Sequence, residues 1–111
     1  MVTAFLAAVS CNRKYEEHYD RLSISHRVIN MSNVQDTVFK VWVYYSGSWN
    51  ARVQEDCDWL RLKNASGNGK SIVEVEIDGA GNRLIDRTGL IHFNASGQEE
   101  SLLNVRQRIA E

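Results

Sequence analysis

From about residue 20 onward the apolar residues recur at every second position, not at every third or fourth, and that period restricts the chain to extended structure. The clearest run spans 37–45, where Phe39, Val41 and Val43 alternate with Lys40, Trp42 and Tyr44. Successive side chains of a strand point to opposite faces, so the first set belongs to a core and the second to an outer surface. Segments 22–25, 49–54, 59–63, 71–77, 90–95 and 102–109 carry strand-like patterning as well, which makes seven strands. No long segment shows a helical period.

Between these segments lie 46–48, 64–69, 78–82 and 94–97, built from Gly, Asn, Asp, Ser and Ala. Such residues must make the turns, because this chain of 111 residues has no proline, where average usage of about 5% would supply roughly five or six. The length supports one hydrophobic core. Short strands with no helix to cover them bury one sheet face against another sheet, so the expected fold is an all-β antiparallel sandwich, with a closed barrel as the rival. Its expected core is Phe39, Val41, Val43, Val73, Val75, Ile77, Ile91, Phe93, Leu103 and Val105.

The first eleven residues, MVTAFLAAVSC, are small and apolar, and the composition changes at Asn12 to the charged stretch NRKYEEHYD. Ala8, Val9 and Ser10 directly before Cys11 resemble the lipobox of a bacterial lipoprotein signal, in which small residues admit a signal peptidase and the cysteine receives the lipid. On that reading 1–20 is a signal remnant and tether, 21–111 is the folded domain, and Cys11 is the lipidation site. The alternative is a short amino-terminal arm with a free thiol, since the stretch lacks Lys and Arg and is shorter than the roughly 15–30 residues of a secretory signal. With Cys11 lipidated, Cys57 has no partner and is expected as a single buried thiol; a Cys11–Cys57 disulfide needs an unprocessed arm and an oxidising compartment. No apolar run approaches the roughly 18 residues of a membrane helix, so membrane contact is expected through the lipid alone.

Thirteen Lys and Arg oppose fourteen Asp and Glu, a net charge of −1, and the basic residues are scattered. That distribution offers no footprint for nucleic acid. His18, His26 and His92 show no motif spacing with a Ser or Cys, so no nucleophile with its base is legible; neither an enzyme nor a cofactor is expected. Glu55, Asp56 and Asp58 are clustered but lack an Asp-x-Asp-x-Asp-Gly loop and are expected as a solvated loop without metal.

The order of features from Thr37 to Gln107 resembles the BACON domain, a family named for its association with Bacteroidetes and with carbohydrate binding. VFKVWVYYSGSW is a valine-rich strand ending in a small-residue turn and Trp49; DWLRL carries a second tryptophan, Trp59; SGNGKSIVEVEI is a Ser/Gly turn leading into a valine-rich strand. DRTGLIHF supplies Arg87, Gly89, Ile91 and Phe93 in the family's alternation, and VRQ closes with Val105 and Gln107. The resemblance implies an immunoglobulin-like sandwich at the cell surface, with Trp49, Trp59, Arg87, Gly89 and Gln107 as structural positions. The connection 78–86 is longer and richer in Gly than the family pattern leads one to expect.

The aromatic residues bear on function. With Phe39, Val41 and Val43 inward, Lys40, Trp42 and Tyr44 face outward, and an aromatic plane flanked by polar groups suits the C–H face of a sugar. The alternative is that the amino-terminal segment or a partner covers this face. The expected function is accordingly a non-enzymatic cell-surface lipoprotein module binding a polysaccharide or a glycoprotein glycan such as mucin through Trp42, Tyr44 and Lys40. The rival is a structural spacer or a protein-docking sandwich without glycan binding.

Overall fold

The computed structural model describes residues 18–109, which contain nine strands and no helix. They are β1 (Ser23–Ile24), β2 (Val28–Met31), β3 (Thr37–Tyr44), β4 (Ser48–Val53), β5 (Leu60–Lys63), β6 (Ser66–Asn68), β7 (Ser71–Ile77), β8 (Arg87–Asn94) and β9 (Ser101–Gln107). One sheet has the order β1-β3-β7-β5 and the other β2-β9-β8-β4-β6. The first order matches the A-B-E-D sheet of an immunoglobulin sandwich, and β4-β8-β9 matches its C-F-G sheet. The chain is therefore an all-β, immunoglobulin-like sandwich. Every ladder is antiparallel except β2 with β9, which is parallel.

That parallel ladder arises because the amino-terminal strand divides between the sheets. Ser23 and Ile24 pair with Tyr44 and Val43, and the bond from Ser25 N–H to the Trp42 carbonyl extends the contact by one residue. The chain then crosses at His26 and Arg27 and runs beside β9, Ile29 opposite Val105. Because β1 stops at this point, the edge of β3 beyond Trp42 is uncovered. Phe39, expected in the core, is consequently only partly buried, and the His26 ring meets it edge-on at 5.0 Å.

The other nine expected core residues are 0–1% exposed, joined by Trp49, Trp59, Leu60, Ile29 and Cys57. Two short strands, β2 and β6, join the seven segments expected, and neither has enough alternation to be legible alone. β6 contains no apolar side chain; it exists because Ser66–Asn68 pairs with the start of β4 and the Trp49 indole N–H reaches the Gly69 carbonyl at 3.1 Å. β8 starts at Arg87, three residues before the apolar run, and its first residues pair with the end of β9.

Arg87, Gly89, Gln107 and Trp59, separated in sequence, meet at one corner. Arg87 stacks on the Trp59 ring at 4.3 Å and donates Nε–H to Gln107 Oε1 at 2.5 Å. Gln107, 2% exposed, donates through Nε2 to the Asp78 carbonyl at 2.7 Å and to Asn33 Oδ1 at 3.1 Å. Arg87 also reaches the Asp78 and Gly79 carbonyls. Backbone groups that no ladder satisfies are thus paired by two side chains. Burial draws the Arg87 guanidinium down from its ordinary range, yet arginine stays charged at any pH compatible with folding.

The Gly-rich connection has a steric reason. A Cβ on Gly79 would overlap the Val34 carbonyl and lie 2.5 Å from the Gln35 carbonyl carbon, so backbone rests directly on backbone. Gly79 N–H bonds Asp36 Oδ1, Ala80 N–H the Asn33 carbonyl and Gly81 N–H the Val34 carbonyl.

Candidate functional site

The outer face of the four-stranded sheet is ordered in rows across β3, β7 and β5. Trp42 stands opposite Ile72, Lys40 opposite Glu74 and then Lys63, and Val38 opposite Glu76 and then Arg61. Tyr44 lies beyond Trp42, opposite Ser23 of β1. An aromatic and aliphatic end therefore grades into a charged end, with adjacent rows about 6.8 Å apart, two strand residues. The alternation read from 37–45 puts Lys40, Trp42 and Tyr44 on this common face.

Trp42 is 39% exposed, and Lys40 is exposed, while Tyr44 is half-buried. Lys70, at the turn into β7, places its ammonium 5.0 Å from the Trp42 ring centroid and 5.8 Å from that of Tyr44, a cation–π arrangement. Tyr19 leans on Tyr44 with centroids 5.3 Å apart, held by Tyr19 N–H to Ser46 Oγ at 2.7 Å and Ser46 N–H to the Tyr19 carbonyl at 3.1 Å. Ser25 Oγ accepts the Trp42 N–H at 2.9 Å, which fixes the backbone beneath the indole. Neither Lys70 nor Tyr19 is identifiable from strand periodicity, because both lie outside β3 and reach the face through a turn and the chain entry.

At the charged end, Arg61 forms a forked pair with Asp78, 2.6 Å from Nη2 to Oδ1 and 3.3 Å from Nη1 to Oδ2, and contacts Glu76 at 3.4 Å. The hydrogen bond from Arg61 holds the Asp78 carboxyl below its ordinary range, and the same bond raises Arg61. Both groups are substantially exposed, so solvent screens the pair.

Other candidate positions fall elsewhere. Trp49 and Trp59 are 2% and 7% exposed and serve the core, as the resemblance implies. His92 lies on the outer side of β8, largely covered, with Nδ1 3.1 Å from Glu100 Oε2; that contact holds the Glu100 carboxyl below its ordinary range. Cys57 is a buried free thiol, and burial pushes its pKa up more than Arg87 pulls it down. Among the described residues no group of three His, Cys, Asp or Glu is placed to hold a metal ion. Cys11 and its flanking apolar stretch lie outside the described residues.

No protein-family model matches this chain, and no curated protein does. Among solved structures, a Bacteroides ovatus GH5 xyloglucanase in complex with a XXXG heptasaccharide is similar over 81% of this chain, with 18% identity and a TM-score of 0.71. The Vibrio cholerae VesB protease is similar over 94%, with 8% identity and a TM-score of 0.56. At these identities the likeness is one of fold. The chain spans 19% of the xyloglucanase and 35% of the protease, so the matching sandwich is a minor part of each.

Proposed function

We propose that this sandwich is a non-catalytic, cell-surface module that binds glycan on the outer face of its four-stranded sheet, with Trp42 as the stacking ring and Lys40, Glu74 and Lys63 as hydrogen-bonding partners one row away. The observation that carries the reading is the exposure of Trp42, 39%, on a strand whose opposite face is fully buried at Val41 and Val43. A large aromatic ring left partly in water beside charged groups is the chemistry of a sugar platform. The fold likeness to a xyloglucanase bound to an oligosaccharide supports the association, and the ordered match to the BACON pattern points the same way. The apolar stretch ending at Cys11 supports a lipoprotein of the outer membrane.

Titration calorimetry of the chain against xyloglucan oligosaccharides and plant, mucin and microbial polysaccharides tests the proposal. Affinities on the order of millimolar to micromolar are expected from one stacked ring and a few hydrogen bonds. Trp42→Ala should weaken binding about tenfold with little change in thermal midpoint. Lys70→Met resolves whether the ammonium over the ring competes with the sugar, which would raise affinity, or bonds its hydroxyls, which would lower it. Failure of every glycan to bind leaves the spacer or docking role, which draws its own support from the small share of each larger enzyme that the sandwich matches.

A further inference from the structure

The connection between β7 and β8 holds the two most exposed large apolar side chains among the described residues: Leu84 is 90% exposed and Ile85 72%. They are not at a loose end. On one side the loop is pinned to the 33–36 turn, by Gly79 N–H to the Asp36 carboxylate and by Ala80 and Gly81 N–H to the Asn33 and Val34 carbonyls, and the Arg83 N–H closes a turn on the Ala80 carbonyl at 3.0 Å. On the other side Asp86 Oδ1 accepts the Ile109 N–H at 2.8 Å, and Arg87 is locked to Gln107. Val34, 57% exposed, lies on the turn that supports the loop. The pinned loop therefore presents an apolar tip that no element among the described residues covers.

The surroundings of this tip are basic. Arg83 immediately precedes it, and Arg106 and Arg108 line, with Asp86 and Thr88, a shallow depression of about 340 Å³ where the loop rejoins the sheet. Asp86 is the one carboxylate lining that depression, with an oxygen committed to Ile109, while at the base of the loop Asp36 accepts from Gly79 N–H and Asp78 is paired with Arg61. Two aliphatic side chains and a valine fall far short of the roughly 800 Å² per partner that a standard protein interface buries. They suffice for shallow insertion at a lipid headgroup boundary when cations flank them.

We infer that this end of the sandwich docks on an anionic lipid surface, with Leu84 and Ile85 entering the headgroup–acyl boundary and Arg83, Arg106 and Arg108 facing lipid phosphates. The contact is independent of glycan binding. Tyr19 packs against Ser46 and Tyr44 at the opposite end of β3 from the 33–36 turn, so a docked sandwich keeps the Trp42 end of its face away from the lipid.

The test is flotation of the full chain with vesicles of phosphatidylcholine alone and of phosphatidylcholine with about one quarter phosphatidylglycerol. Binding is expected to the anionic vesicles and to fall as salt is raised. The double variant Leu84→Ser, Ile85→Ser should lose about tenfold or more in partitioning, with an unchanged thermal midpoint because both side chains are already in water. Replacing Arg83, Arg106 and Arg108 by Gln should remove the preference for anionic vesicles. The inference is overturned if the double variant floats like the parent, which would assign binding to the apolar stretch before Cys11, or if neutral vesicles bind equally. It is also overturned if the tip instead drives self-association that the double variant abolishes, making a second copy its occupant.

Discussion

Gly89→Ala adds one methyl group at a crowded point in the interior of the sandwich. Gly89 pairs with Val105 on β9 and its missing side chain would point inward. A Cβ there would overlap Leu60 Cδ1 and lie 2.7 Å from Cys57 Sγ and 3.1 Å from Trp59 Cζ2, against the roughly 3.5–4.0 Å of relaxed carbon contacts. Leu60, Cys57 and Trp59 are 3%, 9% and 7% exposed, so none has open space to move into. Overpacking of this kind costs about 1–3 kcal/mol, and restriction of the unfolded chain by alanine offsets about 0.4–1 kcal/mol of it. At the middle of both ranges a net loss of about 1.3 kcal/mol remains, which for a domain of this size lowers the thermal midpoint by roughly 5–10 °C. Urea titration and scanning calorimetry measure it. A cycle with Leu60→Ala checks the cause, because removing Cδ1 should make the double variant more stable than the sum of the single losses by about 0.5 kcal/mol or more. A Gly89→Ala protein as stable as its parent, or a cycle without coupling, would refute the steric argument.

Gln107→Ala should cost about 1–3 kcal/mol in urea titration, since it leaves Arg87 Nε–H without its partner and removes one of the two side-chain donors to the Asp78 carbonyl. Asp78 is held below its ordinary range by Arg61, so its contribution to stability is complete above the unfolded carboxylate pKa of about 4 and is lost as pH falls through the lower folded value. Asp78→Asn should therefore lower stability modestly at neutral pH, less so at high salt, and flatten the acid limb of a stability–pH curve, so that variant and parent converge as pH falls. Cys57, buried and pushed up, should resist thiol-labelling reagents in the native state and react on unfolding, as mass spectrometry of labelled peptides would record.

Much of the sandwich was legible because alternation is local: Val41, Val43, Val73, Val75, Ile91 and Phe93 declare their faces by period two, and once the inner face is known Lys40 and Trp42 must share the outer one. What only the tertiary structure decided depends on contacts between distant segments. The switch of the amino-terminal strand from β3 to β9 exposes Phe39, and nothing near residue 39 signals it. β6 forms because Trp49 and β4 are beside it, not from its own propensity. Lys70 stands over Trp42 because a turn brings together residues 28 apart in sequence, and Arg87, Gln107 and Trp59 meet because two carbonyls in the 78–79 turn need donors that no ladder provides. Residue types and their spacing determine which face each strand buries; which strand ends are left open, and what covers them, is settled only when both sheets close on one core.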